Sequence, residues 1–315
     1  MTGPLPEFFI GLAGLSHETG PDHPESPARL SALLPVARSR VERGLGRFLE
    51  VAPEPDLSLY RSVHDPAHID FLESLDPEAP PVSLDADTQV SFATVRALRE
   101  IAAVIRELAK DPPSSARRVF CAVRPPGHHA HYFGGMGFCP VNHVALLCAT
   151  RMNAWPAERI LVLDVDVHHG NGTADILKRL LPRERTLFIS THRYPFYPGT
   201  GSGHENTEGP SGEGVLDLPL PAGIDDEDYR MLLEEMILPR WDRFSPDTVL
   251  VSAGFDAHVA DPLGDMALTD KTYLRLGEAI AARRRGLSAA FLEGGYSLPA
   301  LAFSADAFLS GWSQG

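Results

Sequence analysis

Cysteine is scarce in this chain. Only Cys121, Cys139 and Cys148 occur among 315 residues. An odd number in irregular spacing excludes a disulfide framework and makes a reducing cytoplasm the simplest home. Long hydrophobic runs are missing too. No stretch approaches the roughly 20 apolar residues that cross a bilayer, and the early apolar segment 8–15 lacks the basic flank and small-residue cleavage pattern of a secretory signal. Positive charge is also in short supply: 28 Lys and Arg against 42 Asp and Glu leave a formal charge of −14. That balance disfavours binding to a nucleic-acid backbone. It suits cationic substrates, although solubility alone accounts for an acidic surface. The expectation is a soluble protein that contacts neither nucleic acid nor membrane, with no repeat, low-complexity tract or linker.

What is present is enough for a large core, with 43% of residues hydrophobic. Short runs of β-branched and leucine side chains alternate with helical patterns, the mark of a mostly parallel sheet covered by helices. Strands are expected at 8–15, 119–123, 160–163, 186–190, 248–254 and 289–292. Helices are expected from Ser26 and Pro27 to Gly44 with a kink or break at Pro35, from Asp65 to Leu72, from Asp85 through Leu108, over 141–152 and over 226–244, with an amphipathic segment closing at Trp312. Segment 17–27 reads as a surface loop, and 194–214 as a long functional loop. The fold class is therefore α/β, one open, mostly parallel sheet with helices on both faces, in a single domain over residues 1–315.

The chemistry lies where the strands stop. Ile160-Leu161-Val162-Leu163 runs into Asp164-Val165-Asp166-Val167-His168, and if the strand persists, Asp164, Asp166 and His168 project to one side. Three other expected strands also end in polar clusters: one in His128 and His129, one in Asp256, one in Gly294-Gly295-Tyr296. In open parallel sheets the ligand crevice lies outside the carboxyl ends of the strands, so these ends can meet. Asp166, His168 and Asp256 would make a three-ligand zinc site with a fourth position open to water. His128 and His129 could handle protons, and Tyr296 could donate to a developing oxyanion. Such parts suit hydrolysis of an unactivated amide. Cys139, beside a glycine-rich loop, is the nearest competing nucleophile and reads as a small core residue. His64 and His68, four apart on a helix, read as structural; His17 and His23 read as loop polarity, and His143 has no evident role.

Several ordered motifs carry a family resemblance: RPPGHHA at 124–130, GFCPVNH at 137–143, DVDVHHGNGT at 164–173, YPFYPGTG at 194–201, AGFDAHVADPLG at 253–264 and EGGYSL at 293–298. Together, with weaker support from HPESPARL, they resemble the zinc-dependent histone deacetylase family, and within it class II and the bacterial acetylpolyamine and histone-deacetylase-like amidohydrolases. The resemblance implies an arginase/deacetylase-like fold and one Zn²⁺ per chain, held by Asp166, His168 and Asp256. It implies His129 as general base and then acid, and His128, oriented by Asp164, as its electrostatic partner. Asn171 stands where class I has an aspartate, which lowers the expected basicity of His129. Tyr296 matches the carbonyl-polarising tyrosine. Gly137, Phe138 and Tyr197 resemble the walls of an acyl-lysine tunnel. A potassium ion would be served by Asp164, Asp166, His168, Ser190 and Thr191. Leu263 replaces a glutamate found in the polyamine-preferring vertebrate branch, which weakens a polyamine assignment.

The expected activity is removal of an acyl group from lysine-type amines, with acetylpolyamines or other small acylated amines as the alternative. A two-metal ureohydrolase would need a second, bridging ligand set that the sequence does not supply. A non-catalytic acyl-lysine binding module would not need the complete set of ligands, histidines and tyrosine.

Overall fold

The computed structural model describes residues 4–314, so the ends of the expected 1–315 domain lie outside the described residues. Eleven strands form among them: β1 (Glu7–Ile10), β2 (Arg47–Phe48), β3 (Val82–Ser83), β4 (Gln89–Val90), β5 (Arg118–Ala122), β6 (Ile160–Asp164), β7 (Thr186–Arg193), β8 (Thr207–Glu208), β9 (Gly214–Leu220), β10 (Thr248–Ala253) and β11 (Ser288–Leu292). Nine make one sheet in the order β2-β1-β5-β11-β10-β6-β7-β9-β8. Every pairing in it is parallel except β8 with β9. The open, mostly parallel sheet is therefore present as expected.

Alternation along each strand divides the core in two. Leu161, Leu163, Phe120 and Ala122 face one layer, and Ile160, Val162, Val119 and Cys121 face the other. The first layer is closed by α1 (Ala28–Glu42), which carries Leu30, Leu33 and Ala37, and by the C-terminal helices. The second is closed by α2 (Pro66–Glu73), α3 (Phe92–Ala109), α4 (His143–Ala154) and α5 (Asn171–Leu180). Burying each large apolar side chain in either layer contributes roughly 1.5–3 kcal/mol. Helices α6 (Asp226–Leu232) and α7 (Leu238–Phe244) flank a π-turn at Leu233–Ile237. The expected helix 226–244 is thus one helical run with a bulge, which accommodates the missing amide donor of Pro239. Helices α8 (Asp270–Arg283) and α9 (Leu298–Trp312) complete the first layer.

Four expectations need correction. The first strand is only four residues long, and Leu12–Ser16 turns as a 3-10 helix. Pro35 sits inside α1 without ending it. Asp85 does not open a helix: its carboxylate accepts from the amides of Asp87 (3.1 Å) and Thr88 (2.7 Å), a local turn that competes with helix formation, and α3 starts at Phe92 behind Ser91. Segment 17–27 is not simply surface, because His17 and Glu25 are buried.

Neighbouring strands β5, β11, β10 and β6 hold in register, with Cys121 opposite Phe291, Leu292 opposite Ala253 and Ser252 opposite Asp164. Their carboxyl ends therefore open onto the same edge of the sheet.

Candidate active site

The segment after β6 does not remain a strand. Regular pairing stops at Asp164, so simple alternation does not bring Asp166 and His168 together. Local hydrogen bonds do. The Asp166 carboxylate accepts from the His168 amide at 2.9 Å, and the Asp256 carboxylate accepts from the Val167 amide at 2.8 Å. His168 Nδ1 then points between two carboxylates, 3.0 Å from Asp166 Oδ1 and 3.2 Å from Asp256 Oδ2. Donor atoms of Asp166, His168 and Asp256 all lie within 4.8 Å of one another.

This donor set fits a borderline divalent ion. Asp256 Oδ2 is buried and makes no hydrogen bond of acceptable geometry, and an orphaned carboxylate oxygen is costly unless a cation balances it. Space around the carboxylates is kept by glycine. A Cβ on Gly294 would stand 1.9 Å from Asp256 Oδ2 and 2.6 Å from Asp166 Oδ2, and one on Gly254 would stand 2.2 Å from Asp166 Oδ2. A second donor group among the described residues, His128, Cys139 and Glu293, shares no residue with the first. Two ions bridged by common carboxylates, as a ureohydrolase centre requires, are not served by this arrangement.

The tandem histidines follow β5 on a turn held from several sides. Glu293 accepts from the amides of Gly127 (2.7 Å) and His128 (3.0 Å), and the Thr173 amide donates to the His128 carbonyl at 3.1 Å. His143 lies 3.0 Å through Nε2 from the Pro125 carbonyl and 2.9 Å through Nδ1 from the Tyr60 hydroxyl, which gives it a structural role. The two rings stand 4.0 Å apart, yet their partners differ. His128 Nδ1 donates to Asp164 Oδ2 at 3.1 Å, whereas His129 Nδ1 donates to the neutral Asn171 Oδ1 at 2.7 Å. Burial disfavours charge on both. For His128 the Asp166 and Asp164 carboxylates overcome burial and hold it well above the ordinary histidine range. For His129, burial and the neighbouring His128 and His168 push it well below. The two adjacent imidazoles are thus pushed in opposite directions.

Tyr296 reaches the site from the loop after β11. Asp261 accepts from its amide at 2.6 Å, and Arg29 lies 4.9 Å over its ring. Arg29 also donates to the carbonyls of Gly295, at 2.7 Å, and Glu293. Burial keeps the phenol well above its ordinary pKa, hence a proton donor. Beneath this loop Glu25 pairs with both Arg124 and Arg29. These supports come from the HPESPARL segment and were not assigned roles from sequence.

A cavity of about 240 Å³ leads to these groups, lined by His129, Gly137, Phe138, His168, Phe196, Tyr197, Leu263, Tyr296 and Asp87. All four expected wall residues, Gly137, Phe138, Tyr197 and Leu263, are thus together. Phe196 stacks on His168 at 5.5 Å between ring centres. Phe138 has a left-handed backbone (φ 68°), uncommon for an aromatic residue. It is held there by donation of its amide to Thr88 Oγ1 at 2.9 Å, while the Gly137 amide donates to Asp85 at 3.2 Å. Asp87 and His23 were missed as site neighbours: His23 packs edge-on against Phe138 and reaches the Asp87 carbonyl. Cys139 is buried, its thiol pushed well up by burial and Glu293, and donates to the Gly137 carbonyl at 3.3 Å, so it remains an inert thiol. His64 and His68 bond to backbone groups of His131, Asn142 and Pro140 and hold no shared ligand position.

Of the residues expected to serve potassium, Ser190 and Thr191 lie on β7 beside Asp164. Thr191 Oγ1 donates to the Asp164 carbonyl at 3.5 Å and lies 2.8 Å from the Tyr229 hydroxyl, while Ser190 Oγ lies 2.9 Å from His192 Nδ1.

A mostly parallel sheet whose carboxyl edge gathers carboxylates, imidazoles and a phenol beside a cavity has the parts of a hydrolase on an α/β fold. The comparisons then give the family. A model of the histone deacetylase domain matches residues 23–312. A protein of Archaeoglobus fulgidus named "Probable deacetylase" is 36% identical over 290 residues, 90% of this chain and 79% of its own. "Histone deacetylase 14, chloroplastic" of Arabidopsis thaliana is 36% identical over 326 residues, 94% of this chain and 74% of its own. The crystal structure of the HDA15 HD domain superposes with a TM-score of 0.86 at 33% identity, covering 98% of this chain and 88% of that one. The chain belongs to the histone deacetylase family and has its arginase/deacetylase fold.

Proposed function

We propose that this protein is a zinc-dependent deacylase that hydrolyses the amide of N-acyl-lysine-type substrates, its whole length serving as one catalytic domain. The observation that carries the reading is that His168, which shares a donor cluster with Asp166 and Asp256, lines one apolar-walled cavity together with His129 and Tyr296, with His128 directly behind. Zn²⁺ held by the three ligands would polarise the carbonyl and acidify water. His129, neutral and in reach of Asn171, accepts a proton from the attacking water and returns it to the departing amine. His128, held charged against Asp164, stabilises the negative charge that develops. Tyr296 donates its hydroxyl proton in a hydrogen bond to the carbonyl oxygen. Gly137, Phe138, Phe196, Tyr197 and Leu263 enclose an aliphatic stem. We also assign a potassium ion to the neighbourhood of Asp164, Asp166, His168, Ser190 and Thr191, supported by Ser190 standing opposite Asp164 where β6 ends and by Thr191 Oγ1 at 3.5 Å from the Asp164 carbonyl.

An acetylpolyamine substrate is the second reading, favoured by the Asp87 carboxylate on the cavity wall, which would attract a distal ammonium. Apolar Leu263 on the same wall favours lysine. No helix among the described residues is long and apolar enough to cross a membrane, and three buried free thiols favour a reducing, cytoplasm-like compartment. The test is a kinetic panel of acetyl-, longer-acyl- and trifluoroacetyl-lysine peptides beside acetylated polyamines, with and without a chelator. Chelator-sensitive turnover of the lysine series is expected, restored by stoichiometric zinc. Turnover that survives complete metal removal, or is confined to polyamines, would reject the corresponding half of the proposal.

A further inference from the structure

Glu293 is wholly buried, and the reaction just described does not use it. One carboxylate oxygen accepts from two consecutive amides, Gly127 and His128, while the other, Oε1, has no hydrogen-bond partner. The carboxylate lies in a donor group with His128 and Cys139 whose atoms are all within 4.8 Å of one another. Leaving a carboxylate there is costly, and its backbone is tied down independently, since Arg29 donates to the Glu293 carbonyl. The side chain is therefore a fixed post presented to the turn that carries both histidines.

We propose that Glu293 is a positioning residue: by clamping the amides of Gly127 and His128 it fixes the direction in which the tandem imidazoles enter the site. The other supports of this turn do not replace it. His143 meets the Pro125 carbonyl, Asn142 donates to the Ala130 carbonyl at 3.2 Å and Thr173 to the His128 carbonyl. All three engage carbonyls. Glu293 alone among these four takes the amide side, and a single carboxylate oxygen serves both consecutive amides. Without it, the Gly127–His128 peptide keeps only the bond of its carbonyl to the Ala130 amide at 3.1 Å, the amide side is unheld, and His128 is expected to shift from the 3.1 Å bond that aligns it with Asp164. Gly127 itself leaves the turn no slack, because a Cβ there would stand 2.9 Å from the His143 ring and 3.0 Å from the Val141 carbonyl.

This inference rests on the deacylase reading for its kinetic arm and is independent of it for its structural arm. In the zinc-loaded full chain, Glu293→Ala is expected to lower kcat by about 10- to 100-fold, as loss of an orienting partner does, with zinc stoichiometry and KM nearly unchanged. Glu293→Gln, which keeps an oxygen for both amides, is expected to recover to within about fivefold of the native rate, because a neutral acceptor preserves most of each bond. Crystal structures should show His128 displaced from Asp164 in the alanine variant and in place in the glutamine variant. Should the alanine variant not fold, Glu293→Asp, with its carboxylate drawn back by one methylene, takes its part with the same split between kcat and KM. The proposal is overturned if the truncated variant retains native kcat, if glutamine is as impaired as alanine, or if His128 keeps its Asp164 bond without the clamp. A native enzyme with no acyl-lysine turnover would reject the preceding section instead, and the structures alone would then decide the clamp.

Discussion

Two clusters of buried charge lie close together in this molecule and are built on opposite principles. In one, Glu25 meets the guanidinium groups of Arg124 and Arg29, and its backbone carbonyl is taken by Arg124 as well. In the other, Asp164, Asp166, Asp256 and Glu293 are all buried, and the cations facing them are imidazoles. In the first cluster both carboxylate oxygens of Glu25 are paired, and it acts as a strut beneath the Tyr296 loop. In the second, two of the oxygens, Asp256 Oδ2 and Glu293 Oε1, lack hydrogen-bond partners, and burial pushes both of those carboxyls up to about 7. A buried ion cluster that closes on itself supports structure; one left open marks the place where something must bind.

The sharpest break of this comparison is Asp256→Ala. It should abolish stoichiometric zinc binding and lower turnover by about 10³-fold or more, since Lewis-acid stabilisation supplies several kcal/mol and each 1.4 kcal/mol is tenfold. Metal analysis with an acyl-lysine assay checks it. Tyr296→Phe should lower kcat by about 10²–10³-fold, the range for loss of one oxyanion donor, with zinc content unchanged. In the first cluster, Glu25→Gln should cost about 3–5 kcal/mol of stability, because it leaves buried guanidinium groups unpaired; denaturant unfolding measures this. The same carboxylate predicts acid sensitivity. Burial alone would raise Glu25, but Arg124 and Arg29 bring it down to about 2 from an ordinary 4.5. Its stabilisation is therefore complete above pH 4.5 and is lost as pH falls toward 2, a dependence the glutamine variant should lack.

The smallest change sharpens the contrast within the site. Asn171→Asp supplies His129 with the carboxylate that His128 already has. His129 now lies well below the ordinary range. The acid limb of kcat/KM against pH should move upward by roughly one unit or less, with a change of only a few-fold in the maximum.

Much of this was legible in the chain because parallel strands are uninterrupted apolar runs, and their polar endings stand out. The clusters after β5, β6, β10 and β11 were readable one at a time, and the sheet order made them neighbours. Strand alternation does not join Asp166 to His168, since the chain leaves the sheet at Asp164 and amide bonds beyond the end of β6 do that work. What could not be read were contacts between distant segments that leave no periodic trace. Asp85 and Thr88 seize the amides of Gly137 and Phe138 from about 50 residues away, and Glu25 meets Arg124 across 99 positions. Strand β9 was hidden for another reason: Asp217 and Pro219 interrupt its apolar pattern, which a strand near the sheet edge tolerates.

The order β5-β11-β10-β6 also governs how the molecule comes into being. Strand β11, the last to leave the ribosome, is the wedge between β5 and β10. Until it arrives, the early and middle portions of the sheet have no shared border, and the histidine turn has no neighbour bearing the tyrosine. The sheet therefore cannot close across its centre before β11 has been made, and the pairings on either side of it are non-local ones, the kind that form slowly.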